Sequence, residues 1–237
     1  FHPRYAQFIA RLGADHVIYQ PYDLFRAMPG WTPELARLEE RLLQTCDSVI
    51  ATSEPTRAAL QTQSPRPVHC VPNGVDGALF LAGEAAQGVD ALPGIPRPRV
   101  GYAGSLNRKV DLPLIVTLAR REPGWQFVLI GPQGNFDDAT ARALAECAGL
   151  PNVHLPGART RQELPAAMAS LDVALMCYRP GTWMDSAYPL KLHEYLASGP
   201  PVVSSDLPSV RPFAGVVAIA RNADEWHALI SGALRDG

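Results

Sequence analysis

Hydrophobic positions in this chain follow two patterns: short apolar runs, and longer segments with apolar residues three and four apart. The runs read as buried strands and the periodic segments as amphipathic helices. In Arg4 to Leu12, Tyr5, Phe8, Ile9 and Leu12 fall at helical spacing and are expected to face a core. His16–Tyr19 predicts a short strand. Thr32-Pro33-Glu34 sets a helix start, with Thr as cap, Pro in the first turn and an acid beside the helix N-terminus. That helix runs to about Cys46, with Leu35, Leu38, Leu42 and Leu43 inward. Ser48–Thr52 reads as a strand, Ser53 to about Gln63 as a capped helix, Pro67–Val71 as a strand, and Pro72–Asp76 as a tight loop.

The pattern breaks between 82 and 98, where Ala, Gly and Pro dominate and Pro93-Gly-Ile-Pro-Arg-Pro98 is incompatible with helix. This places a linker at 82–97 between a first domain, 1–81, and a second, 98–237. Beyond it, strands are predicted at Arg99–Ala103, Gln126–Ile130, Val153–Leu155, Asp172–Cys177, Pro201–Ser204 and Val216–Ala220. Helices alternate with them at Asp111–Arg121, Asp137–Ala148, Arg161–Ser170, Pro189–Ser198 and Ala223–Leu234. Unbroken apolar strands such as Gln126–Ile130 suit a parallel sheet covered on both faces. The alternation predicts a doubly wound α/β sheet, in which ligands bind outside the carboxyl ends of the strands. The loops that begin at Gly104, Tyr178 and Ser204 should therefore share one rim.

Composition narrows the function classes. With 47% hydrophobic residues the chain can bury a core, and a net charge of −2 gives no footprint for nucleic acid. No apolar run approaches the roughly 18 residues of a bilayer span, and no signal peptide is recognisable. Cys46, Cys70, Cys147 and Cys177 are scattered without a C-x-x-C pair, so buried free thiols in a reducing compartment are expected. No H-E-x-x-H occurs and no metal site is predicted. Ser48–Ser53 is not a G-x-S-x-G elbow. The chain opens at Phe1 in what reads as mid-fold, and a fragment lacking pieces at both ends is expected.

Chemistry concentrates in two stretches. In Asp185-Ser-Ala-Tyr-Pro-Leu-Lys-Leu-His-Glu-Tyr-Leu-Ala-Ser-Gly199, Lys191 sits in a first helical turn, where the helix dipole disfavours a cation by about 0.3–1 kcal/mol. A solvated Lys191–Glu194 pair is one reading. The other is an anion held by Lys191 and the free N–H groups of the helix, with Glu194 accepting hydrogen bonds from a vicinal diol; phosphate next to ribose is such a ligand. Gly101-Tyr-Ala-Gly-Ser-Leu-Asn-Arg-Lys109 follows a strand but is not G-x-G-x-x-G, and the next strand ends in Gly131-Pro132 rather than an acid, which argues against a dinucleotide. It is either an ordinary βα loop or a diphosphate cradle made by backbone N–H groups with Ser105, Arg108 and Lys109. His193 and His154 read as packing or surface residues.

The succession Glu39-Glu40-x-Leu-Leu, Asp47-Ser-Val-Ile-Ala-Thr-Ser53, Val71-Pro-Asn-Gly-Val-Asp76, the Gly101 loop and Pro189-Leu-Lys-Leu-His-Glu-Tyr-Leu-Ala-Ser-Gly199 resembles the GT-B glycosyltransferases of the large retaining, nucleotide-sugar-dependent group. The resemblance covers nearly the whole chain. It implies two Rossmann-like doubly wound domains: a truncated N-terminal one for the acceptor and a second for the nucleotide-sugar, itself shortened at its C-terminus. It implies transfer of a sugar from a nucleoside-diphosphate sugar, as co-substrate, to a glycan, lipid-linked or small-molecule acceptor, with retention and with neither metal nor cofactor. By position, Glu194 would bind ribose hydroxyls, Lys191 would lie near the diphosphate, and Gly104, Ser105 and Arg108 or Lys109 would hold phosphate oxygens. The family often carries two glutamates separated by seven residues; here the first position is Ser186, with Asp185 beside it as the substitute catalytic acid. His2 falls where relatives carry residues lining the acceptor side and is the second catalytic candidate. Relatives of this kind act in bacterial glycan and cell-envelope biosynthesis, which implies a cytoplasmic protein with peripheral association at the inner membrane face. A nucleotide-sugar epimerase or phosphorylase on the same architecture, or a non-catalytic binding domain, are the alternatives.

Overall fold

The computed structural model describes residues 2–80, 90–134 and 136–236, and the chain divides into two compact units. Unit 1 comprises residues 1–73 and 181–189; unit 2 comprises 74–180 and 190–237.

Unit 1 holds a parallel sheet in the order β1-β2-β3, formed by Ile18–Tyr19 (β1), Ser48–Ala51 (β2) and Val68–Cys70 (β3). Helices α1 (Pro33–Thr45) and α2 (Glu54–Gln61) begin as predicted: Thr32 Oγ1 accepts from Leu35 N–H and Ser53 Oγ from Thr56 N–H. Tyr19, Leu42, Leu43, Cys46, Val49, Ala51, Leu60 and Val68 form the core.

The first segment differs from the expectation. Pro3–Arg11 winds as a 3-10 helix, with three residues per turn. That spacing turns Ala6 and Ile9 to the core and leaves Tyr5 and Phe8 exposed, while Leu12, the C-cap past the helix end, is exposed as well. A short helix, α6 (Thr182–Ser186), also belongs to unit 1. It is held there by Ser186, whose carbonyl accepts from Ser53 Oγ at 2.5 Å and Thr56 Oγ1 at 3.1 Å, and by Trp183 Nε1–H donating to the buried Asp23 at 3.2 Å.

Unit 2 carries six parallel strands: β4 (Arg99–Ala103), β5 (Gln126–Ile130), β6 (Val153–Gly157), β7 (Val173–Met176), β8 (Val202–Ser205) and β9 (Val217–Ala220). Their order is β6-β5-β4-β7-β8-β9. Helices α3 (Leu112–Arg121), α4 (Asp138–Ala148), α5 (Leu164–Ala169), α7 (Leu190–Ser198) and α8 (Ala223–Asp236) connect or follow the strands. The chain builds outward from β4 in one direction, then returns to β4 and builds in the other. The order reverses between β4 and β7, which opens a crevice at their carboxyl ends. β4 and β7 are buried at every position, as strands covered on both faces must be.

Part of the expected linker, 82–89, lies outside the described residues. Its remainder packs into unit 2: Leu92 is buried, and Arg99, itself buried, bonds both Asp90 oxygens and the Ile95 carbonyl. That guanidinium holds the Asp90 carboxyl down at about 2. The four cysteines are free thiols; Cys70 is half-buried and the other three are buried.

Candidate functional site

The crevice is shaped first by backbone. β4 ends at Ala103, and the chain turns at Gly104, whose φ is 153°. A Cβ there would stand 2.3 Å from Lys191 Nζ and 2.4 Å from its Cε. Gly131, after β5, has φ 148° and a Cβ there would stand 2.0 Å from the Gly104 carbonyl oxygen. The two turns touch backbone to backbone, and Gly104 N–H donates to Ile130 O at 2.7 Å. These glycines allow the close approach of the two turns and of Lys191. Gly101 does something else: it lies inside β4 and leaves its space to the Leu171 side chain.

Helix α7 brings the charged groups to this turn. Leu192 and Tyr195 are buried, and Gly199, at φ 93°, ends the helix with its N–H on Tyr195 O. Lys191 therefore projects from the first turn against Gly104, and Glu194 lies one turn further along the helix. Lys191 Nζ lies 4.0 Å from Glu194 Oε2, with 15% and 16% of the two side chains exposed. Burial pulls the Lys191 ammonium below the usual lysine range. Glu194 opposes that fall, and the positive charge of Lys109 adds to it. A solvated surface pair would have neither this burial nor a second cation facing it. Lys109 and Lys191 are also the only two lysines of the chain, against 19 arginines.

Two tyrosines to which the sequence assigned no role in the site complete the arrangement. Tyr195 Oη accepts from Ala103 N–H at 2.7 Å and lies 3.5 Å from Ala103 O, tying α7 to the end of β4. Tyr102 presents its ring to Lys191 Nζ, 5.6 Å from the centroid, and donates its hydroxyl to Ser105 O at 3.3 Å. Their signal in the sequence was the pair of hydroxyls at positions the pattern buries.

Gly104, Ser105, Lys109, Lys191 and Glu194 thus meet at one rim of unit 2. Ser105 is exposed, and Lys109 is half-buried with its carbonyl accepting from Arg179 N–H at 2.8 Å. Arg108, on the same loop, is exposed; the Asp137 carboxyl, the N-cap of α4, is lowered chiefly by its hydrogen bonds with Thr140, and the charges of Arg179 and Arg108 add to this. His193 packs its ring edge-on to Phe213 at 5.6 Å, and His154 Nε2 meets Gln126 Oε1 at 2.8 Å, the packing roles expected of both. The other two candidates belong to unit 1. His2 caps the 3-10 helix through Nδ1, 3.3 Å from Arg4 N, and packs on Phe25 with centroids 4.9 Å apart. Asp185 is exposed on α6, whereas Ser186 beside it is buried with its hydroxyl donated to Trp183 O. Among the described residues, no three His, Cys, Asp or Glu side chains gather as a metal site requires, and no helix is long and apolar enough to cross a membrane.

Two lysines thus face each other at a glycine turn, at the point where a six-stranded parallel sheet reverses its order and where open α/β sheets take their ligands. Residues 97–236 match the model of the family described as Glycosyl transferases group 1. The chain belongs to that family. It is 32% identical over 207 residues to a Bacillus subtilis (strain 168) protein named as a teichuronic acid biosynthesis glycosyltransferase, TuaH. That match covers 82% of this chain and 51% of the relative, so the chain spans about half the relative's length. Among solved structures, Anabaena Alr3699/HepE, in complex with UDP and glucose, matches with a TM-score of 0.72 at 20% identity, over 97% of this chain and 64% of that one. A UDP-forming alpha,alpha-trehalose-phosphate synthase from Burkholderia xenovorans, in complex with glucose-6-phosphate, matches at 0.74 and 14%, over 98% and 63%. At these identities the likeness is one of fold, the GT-B type read from the sequence.

Proposed function

We propose that the rim of unit 2 is the donor site of a glycosyltransferase that moves a sugar from a nucleoside-diphosphate sugar to an acceptor. The observation that carries this reading is Lys191, a cation withdrawn from water in a first helical turn, against a glycine turn and one turn from a carboxylate. In this reading Lys191, Lys109 and the backbone N–H groups after Gly104 bind the diphosphate, and Glu194 accepts from the ribose diol. Transfer then needs stabilisation of the departing diphosphate as negative charge grows on it, which positive side chains and helix N–H groups provide without a metal ion. Retention, a glycan or lipid-linked acceptor, and peripheral membrane association complete the proposal. Asp185 and His2 are its unit 1 candidates for contact with the reacting sugars. The TuaH relative and the Alr3699/HepE complex support a sugar-nucleotide chemistry of this class.

Ser186 favours a second, narrower reading of binding without turnover. It stands where the family often has an acid, and its own bonds within unit 1 occupy its polar atoms.

Calorimetric titration of the 237-residue chain with UDP, GDP and ADP tests the donor site. One diphosphate should bind, and Glu194→Ala should weaken it at least tenfold, since each hydrogen bond to a charged acceptor is worth about 1.5–3 kcal/mol. Absence of binding by all three to the folded protein would overturn the donor-site assignment. Binding without sugar release from the matching donor, in a chain extended to the relatives' length, would favour the second reading.

A further inference from the structure

The crevice has a floor as well as walls. Lys191 leaves α7 and crosses Gly104, and the surface under its ammonium is the face of Tyr102, the penultimate residue of β4. The Tyr102 side chain is buried, with only 2% of the residue exposed, and its ring meets that of Tyr178 edge-on at 6.2 Å. Its hydroxyl goes to Ser105 O, one residue past the turn. A single side chain thus contacts both halves of the anion site, the cation from α7 and the backbone loop from β4.

We propose that Tyr102 is a positioning residue for this site: its ring face seats the Lys191 ammonium, and its hydroxyl fixes the Gly104–Ser105 turn opposite. The inference rests on the donor-site reading for its function, and on geometry alone for its structural half. A cation within about 6 Å of an aromatic centroid is attracted by the ring quadrupole, the more so where water is excluded. That attraction opposes the burial that would otherwise discharge Lys191. The other groups facing the ammonium are Glu194 on its own helix, which favours its charge, and Lys109 from the loop after β4, which disfavours it. Tyr102 stays a neutral donor throughout, because burial and the neighbouring Tyr178 and Tyr195 hold its phenol well above its ordinary range.

The two-lysine composition makes a direct test available. Protein labelled with carbon-13 at the lysine ε-carbon gives two resonances, and Lys191→Arg assigns them. Their pH titration is followed in the wild type, Tyr102→Phe and Tyr102→Leu, each first shown to melt cooperatively. The Phe variant keeps the ring and should keep the Lys191 midpoint. The Leu variant should lower it by at least about half a pH unit, a threefold change in proton affinity, with Lys109 moving less. A Leu variant whose Lys191 midpoint equals that of the wild type would overturn the inference, whatever the nucleotide result. A Phe variant that falls with the Leu variant would overturn the role of the ring face. Addition of saturating UDP, GDP or ADP in turn should raise the wild-type Lys191 midpoint with one of them. A midpoint unmoved by all three would overturn the donor-site reading while leaving the Tyr102–Lys191 contact as measured.

Discussion

Among individual side chains, burial of charge is what the sequence concealed. Glu39, quoted from the sequence only as part of the Glu39-Glu40-x-Leu-Leu stretch, is 2% exposed and accepts from Tyr19 Oη at 2.6 Å. Burial raises its carboxyl above the usual range, against the opposing pull of the Tyr19 hydrogen bond and the nearby Arg26. A raised carboxyl favours the folded state below its unfolded value, and that advantage is lost as pH rises through the folded value. A tenfold change in proton affinity is worth about 1.4 kcal/mol, or roughly 3–6 °C in a protein of this size. Glu39→Gln keeps an acceptor for Tyr19 without the buried charge. Its melting temperature relative to the wild type should therefore climb as pH is raised from the ordinary carboxylate range toward neutrality. A difference that stays flat or falls over that window would show that the wild-type carboxylate is compensated at neutral pH. Lys191 is the opposite case, a buried cation whose spacing to Glu194 was visible in the sequence while its burial was not.

At the level of elements, the strands and helices of unit 2 were legible because each carries its own local signal: apolar runs, N-cap residues, and Gly199 followed by prolines. The 3-10 winding of Pro3–Arg11 was not, since apolar residues three and four apart fit either helix until a partner surface chooses between them. The placement of α6 was also hidden, because only three-dimensional contact reveals that Ser186 O meets Ser53 and Thr56. The Tyr195 bond to Ala103 was equally beyond sequence reading, as it joins residues 92 positions apart. That bond fixes where α7 stands against β4. Tyr195→Phe leaves the buried Ala103 N–H without its acceptor, which should cost about 1–3 kcal/mol in urea denaturation. It should also weaken nucleotide binding, because Lys191 and Glu194 ride on the same helix. Loss of stability with unchanged affinity would mean that α7 is held in place by Leu192 and its neighbours instead.

In the molecule as a whole, sequence order alone separated two α/β regions, but not the exchange by which 181–189 joins unit 1 while α7, starting at Leu190, joins unit 2. That crossing lies directly before the helix that carries Lys191 and Glu194. Because each unit has its own sheet, a ligand confined to the unit 2 rim should stabilise that unit in particular. At a hundred times its dissociation constant, a ligand that binds only the folded site adds about 2.7 kcal/mol, which slows exchange through opening of the site up to about a hundredfold. Amide hydrogen exchange, read peptide by peptide with and without the diphosphate that binds, should show this slowing in 102–109, 131–134 and 190–196. The strands of unit 1, at 18–19, 48–51 and 68–70, should exchange at unchanged rates. Slowing confined to unit 1 would move the nucleotide to the other sheet and remove Lys191 and Glu194 from the site. Equal slowing in both units would mean that the two open together, so that the rim reports on the stability of the entire chain.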